Sequence, residues 1–86
     1  MILEEYKYDF AKLLHKKLKE KIRAGIEVRF VNGEELSVKI IRDREIDYSW
    51  TINEFSDKFF NGLDTDIIVY EIVAGYKKRV FAKHFY

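Results

Sequence analysis

The spacing of apolar side chains changes period along this 86-residue chain, from helical to strand-like and back to helical. A 3.6-residue stripe and a two-residue stripe each expose one apolar face that something else must cover. The pattern therefore predicts helices packed on a sheet. Over residues 2–23, Leu3, Tyr6, Phe10, Leu14, Leu18 and Ile22 recur at spacings of three and four. Glu4, Glu5 and Asp9 lie near the start of this segment, and Lys17, Lys19, Lys21 and Arg23 near its end. That order complements a helix dipole, and Gly25 is the expected stop.

Residues 26–31 and 36–42 alternate apolar with polar, as half-buried strands do. A two-residue Asn32-Gly33 turn would pair Phe30 with Glu35 and mix the core and solvent faces. An odd loop removes the conflict. A three-residue loop Val31-Asn32-Gly33, with Gly33 left-handed in a bulge turn, pairs Val28 with Leu36 and Ile26 with Val38. Residues 45–50 are the third expected strand, with Ile46, Tyr48 and Trp50 on its core face. A three-residue turn centred on Asp43 would set Ile40 opposite Ile46 and Val38 opposite Tyr48. Glu27, Arg29, Ser37, Lys39, Asp47 and Ser49 then share a solvent face.

Residues 51–61 predict a short helix capped by Thr51 or Asn53, with Ile52, Phe55, Phe59 and Phe60 apolar and Gly62 as its stop. Asp64 or Thr65 caps a last helix of about twenty residues. Its apolar stripe runs through Ile68, Ile72, Tyr76, Val80 and Phe85, with Val69, Val73 and Phe81 beside it. Gly75 inside this stripe costs about 1 kcal/mol relative to Ala, which marks close approach of another element. The reading is an α+β fold in the order α-β-β-β-α-α, an antiparallel meander with helices packed on one face, and one domain over residues 1–86.

Without cysteine, neither a disulfide nor a thiolate metal site can support so short a chain. The seven Phe, six Tyr and one Trp must build the core. The residues after Met1 lack a basic start and an apolar run, so no signal peptide is expected. The longest apolar stretch, Ile67–Tyr70, is far short of the ~20 residues that cross a bilayer. A complete small open reading frame, a cytoplasmic location and no membrane partner are the expectations.

Charge is segregated. Residues 1–25 carry a net +3, residues 26–75 a net −6 and residues 76–86 a net +4. Lys12, Lys16, Lys19 and Arg23 fall within an arc of roughly 60° at 3.6 residues per turn, and Lys77, Lys78, Arg79, Lys83 and His84 form a second basic cluster. Both groups suit phosphates or an acidic protein surface; both also suit an ordinary solvated helix face and a helix C-terminus. Glu27, Glu34, Glu35, Asp43, Glu45 and Asp47 are the candidate acidic surface, expected to cluster on the hairpin and its outer face. Tyr70, Phe81 and Phe85 cannot all reach one small core, which points to a homodimer or a partner on the last helix.

Chemistry-bearing patterns are sparse. Ser37, Ser49 and Ser56 lack a nucleophile-elbow context, the two histidines have no metal-ligand spacing, and there is no glycine-rich phosphate loop. No catalytic residue, metal or cofactor is assigned. The segment around Gly62 reads as an αα-hairpin and not as a DNA reader, because Lys58, Asp57 and Asn61 fall at the wrong positions and Asp64-Thr65-Asp66 would meet phosphates.

Ile46-Asp47-Tyr48-Ser49, then Phe55 and Phe59, Asn61-Gly62, Thr65-Asp66-Ile67-Ile68-Val69, Ile72, Tyr76-Lys77-Lys78 and Phe85-Tyr86 form a series that resembles small proteins from bacteriophages and prophages of Gram-positive bacteria. The lysine-rich first helix before a hairpin is similar to theirs as well. The resemblance extends in kind, without a shared motif, to anti-CRISPR proteins. It implies a non-enzymatic protein–protein interaction module that inhibits or modulates a host defence or replication factor. The alternatives are a nucleic-acid-binding accessory protein, using the first helix and the C-terminal cluster, and a self-associating structural protein.

Overall fold

The computed structural model of the chain describes residues 2–85, with side-chain surroundings described for residues 5–81. The side chains of Leu3, Glu4, Lys83, His84 and Phe85, all singled out above, lie outside the described residues. The elements are α1 (Ile2–Lys21), β1 (Gly25–Val31), β2 (Glu35–Arg42), β3 (Glu45–Ile52), α2 (Phe55–Phe60) and α3 (Thr65–Phe85). The strands form one antiparallel sheet in the order β1-β2-β3. The α+β order and the meander are those expected from the periodicity.

One core joins both long helices to one face of the sheet. Phe10, Leu14, Leu18 and Ile22 of α1 meet Leu36, Val38 and Ile40 of β2 and Ile68, Val69, Ile72 and Tyr76 of α3. Tyr48 and Trp50 pack against this core from β3, as their parity with the apolar positions requires. Phe55 closes one end. It is fully buried, with its ring 4.8 Å from Phe10 and 4.9 Å from Phe30, both edge-on. α1 ends before the expected stop, and Gly25 instead opens β1 opposite Ile41. Gly75 does mark a close approach: a Cβ there would collide with the Tyr48 hydroxyl and sit 3.0 Å from its Cζ.

Both hairpins depart from the expected register. In the first, the loop is Asn32-Gly33-Glu34, closed by Val31 opposite Glu35. It is odd, as parity demanded, but lies one residue later, so Val28 meets Val38 and Ile26 meets Ile40. Asn32 (φ 54°) and Gly33 (φ 80°) take the two left-handed positions together. Asn-Gly tolerates that pair of angles well, which draws the turn onto those residues. Glu34 is the added residue that preserves the faces.

The second hairpin turns on two residues, Asp43 (φ 53°) and Arg44 (φ 66°), and not on three. Parity is restored by a bulge. Ile41 pairs with Ile46 and Ile40 with Tyr48, which leaves Asp47 as the extra residue. A bulge reverses the facing of whatever precedes it. Ile46 therefore leaves the core and is 54% exposed, while Asp47 leaves the expected solvent face and turns toward α3. Ser37, also expected outside, is buried between its cross-strand neighbours Arg29 and Thr51.

Thr51 and Ile52 belong to β3, so α2 is shorter than expected and neither Thr51 nor Asn53 caps it. The residue before it, Glu54, is left-handed and makes no side-chain cap. The cap comes from the first hairpin: the Glu34 carbonyl accepts from the Phe55 N–H, and the Glu34 carboxylate accepts from the Ser56 N–H at 2.9 Å and the Ser56 hydroxyl at 2.6 Å. Lys7 of α1 donates to the same carboxylate at 2.9 Å. The Ser56 hydroxyl and then Lys7 hold the Glu34 pKa down at about 2. A depressed carboxylate contributes stability above its unfolded pKa and loses it as pH falls through the folded one. Glu34→Gln is therefore expected to flatten the fall in melting temperature between roughly pH 4.5 and 2. Thermal melts of both proteins across that window check this; parallel acid limbs would contradict it. At α3, Asp64 is the cap, its carboxylate accepting from the Ile67 N–H at 3.0 Å.

Candidate functional site

The residues expected to form an acidic surface are dispersed. Glu34 and Glu35 lie at one end of the sheet, and Asp43 and Glu45 at the opposite end, across the length of β2. Glu27 pairs with Arg29 on the outer face. Glu34 is committed to α2 and Asp47 to α3. No continuous acidic face results, and the electrostatic division of the sequence does not become an acidic side of the fold.

The basic residues behave differently. Lys12, Lys16 and Lys19 are exposed along the outward side of α1, and Arg23 is exposed just past its end. Lys19 donates to the Ala24 carbonyl at 2.9 Å, which satisfies backbone just past the helix end. Exposed Tyr8 and Leu13 accompany this stripe. Lys17 lies outside it: Nζ donates to Thr65 Oγ1 at 2.8 Å and Asp66 Oδ1 at 2.7 Å, tying α1 to the start of α3. On α3, Lys77, Lys78 and Arg79 are all exposed.

The fold brings the end of the first basic group to the second. Lys21, Arg23, Arg42 and Lys77 line one concavity of about 240 Å³, floored by Ile22, Val73, Tyr76 and Val80. Lys21 ends α1 and Arg23 follows it in the link to β1, both beside the part of α3 where Tyr76 is buried and Lys77 is exposed. Among the described residues no carboxylate lines this concavity. Arg42 is partly engaged elsewhere, donating from Nε to the Tyr76 hydroxyl at 2.5 Å. Sequence reasoning missed Lys21 and Arg42 as members, since neither lies on the stripe that periodicity defines. Only the meeting of α1, β2 and α3 places them together.

Asp47 stands next to this concavity. It accepts from the Tyr76 hydroxyl at 2.9 Å and faces Arg42 Nε at 4.0 Å and Arg79 Nε at 3.9 Å. Burial, with Asp47 at its hydroxyl, pushes the Tyr76 phenol above its ordinary pKa. The neighbouring larger cavity, of about 460 Å³, is lined by Arg42 and Arg79 but also by Asp43, Glu45 and Asp47. Its three carboxylates outnumber the two guanidinium groups, so it has no bias toward an anion.

Among the described residues no group of three or more acidic, histidine or cysteine side chains is placed to hold a metal ion, and no helix is long and apolar enough to cross a membrane. No protein-family model, curated protein or solved structure matches the chain.

Proposed function

We propose that this chain is a non-enzymatic protein–protein interaction module that takes an acidic segment of a partner protein at the junction of α1 and α3. The observation that carries this reading is the concavity lined by Lys21, Arg23, Arg42 and Lys77 without a carboxylate. Its apolar floor suits a side chain as well as a charge, and a protein segment offers both. The exposed Lys12, Lys16 and Lys19 add positive charge along α1, offset in part by Asp9 and Glu20 beside them. In the phage setting that the resemblance implies, the partner class is a host defence or replication factor, inhibited by covering a surface it needs.

Nucleic acid is the rival ligand, and direct oligonucleotide binding at low salt separates the two. Binding through phosphates releases counterions, so affinity falls steeply with salt for any sequence. The expected result is retention of a host protein by the wild-type chain, its loss with Lys21→Ala/Arg23→Ala/Lys77→Ala, and the same difference with the purified partner. Short single-stranded and duplex oligonucleotides are expected to show no binding by fluorescence anisotropy at about 50 mM salt. Oligonucleotide binding that weakens in the triple variant, with no protein partner distinguishing the two chains, would overturn the proposal in favour of the rival.

A further inference from the structure

α3 carries two apolar stripes and buries one of them. Ile68, Ile72 and Tyr76 face the core, whereas Ile67 (54% exposed), Tyr70 (79%), Ala74 and Phe81 (64%) lie on the outward side. At 3.6 residues per turn the outward four fall within an arc of roughly 60°. Their spacing of three, four and seven continues over four turns, the periodicity of a helix seam and not of scattered surface residues.

We infer that this outward stripe is the seam of a homodimer in which two copies of α3 pack antiparallel about a two-fold axis at Ala74. The sequence is complementary to itself about that residue. Ile67 and Phe81 lie seven residues either side of Ala74, so each Ile67 meets the partner copy's Phe81. Ala74 meets its own copy, and its small side chain lets the helices approach where they cross. Glu71 lies three residues before Ala74 and Lys78 four after it, on the same flank of the stripe. In an antiparallel pair, same-flank residues face each other, so each Glu71 meets a Lys78 of the other copy, twice by symmetry. A parallel pair would turn this flank of the two copies to opposite sides and leave Glu71 and Lys78 without each other. Charge therefore selects both the occupant and its direction. One helix seam is small by the standard of stable dimers, so association is expected to be reversible and dependent on concentration. The seam borders the basic concavity at Lys77, which follows Ala74 by three residues on the Tyr70 side; the inference rests on apolar and charge pairing along α3 and stands without the proposed binding role.

Light scattering and sedimentation velocity across about 10 μM to 1 mM provide the test. The wild-type chain is expected to approach twice its monomer mass as concentration rises. Glu71→Lys and Lys78→Glu, both on exposed residues, are each expected to remain monomeric, because each creates two like-charge contacts. An equimolar mixture of the two variants is expected to regain the dimer mass, since every contact is then opposite in sign. Circular dichroism of each variant shows whether it is folded. Because Glu71 also accepts from Trp50 Nε1 at 3.1 Å, Lys78→Glu is the cleaner single change. A wild-type chain that stays monomeric at about 1 mM, or folded variants whose mixture stays monomeric, would overturn the inference.

Discussion

Phe55→Ala is expected to remove about 3–5 kcal/mol of stability, the largest loss from any single side-chain truncation in this fold. A domain of this length is stable by only about 4–13 kcal/mol, so a loss of this size removes a large fraction of its stability. The size follows from position. Phe55 is fully buried, and its ring contacts Phe10, Phe30 and Phe59 from three different elements. Its removal opens a cavity at the junction of α1, β1 and α2 that none of them can fill alone, because each is held by its own backbone pairing. Phe60, two-thirds exposed at 68%, is the control in the same helix, and Phe60→Ala is expected to change stability by less than about 0.5 kcal/mol. Urea unfolding at fixed low protein concentration measures both while avoiding any contribution from association. A Phe55→Ala loss below about 1 kcal/mol would mean that the aromatic cluster is not the keystone of this end of the core.

Phe55 also shows which parts of the molecule were legible before its structure. Apolar period alone located both long helices, all three strands and the core faces of β1 and β2, because burial of a stripe is a property of the stripe itself. Parity correctly required an odd first loop and failed on its position, since left-handed tolerance at Asn32 and Gly33 decides where a chain turns. At the second hairpin the same argument places the repair of parity in the turn. The chain repairs it within the strand, through the bulge at Asp47, and so exchanges Ile46 for a carboxylate on the helix side. No local pattern announces a bulge between Ile46 and Tyr48. Glu34 departs from its expected place on an acidic surface for a related reason. Two adjacent glutamates in a turn resemble solvated charge, and only the arrival of Ser56 and Lys7 from distant segments makes one of them a helix cap. The basic stripe on α1 was visible from spacing, whereas the concavity required Arg42 and Lys77 to be carried to its end by the fold. The exposure of Tyr70 and Phe81 was anticipated from the excess of apolar surface on α3. The regular seam they form with Ile67 and Ala74 became evident once the core face of the helix was fixed.

Asp47→Ala is expected to cost about 2–3 kcal/mol, from loss of a charge-assisted acceptor with little access to water. The Asp47 side chain is only 11% exposed, whereas Arg42 and Arg79 are each half-exposed, so most of the loss resides at the Tyr76 hydroxyl and less at the guanidinium groups. Asp47→Asn retains an acceptor and is expected to lose about 1 kcal/mol. Tyr76→Phe removes the hydroxyl between Arg42 and Asp47, and in combination with Asp47→Ala the losses are expected to fall short of additivity by about 1 kcal/mol or more. Additive losses in urea unfolding would show that the hydroxyl and carboxylate act independently. The same change has an opposite expected effect on binding. Arg42 lines the basic concavity while facing Asp47, so removing the carboxylate raises the positive potential there. Asp47→Ala should therefore melt at a lower temperature yet hold an acidic partner more tightly. A variant weakened in both respects would place Asp47 among the groups that shape the concavity, and not among those that restrain its charge.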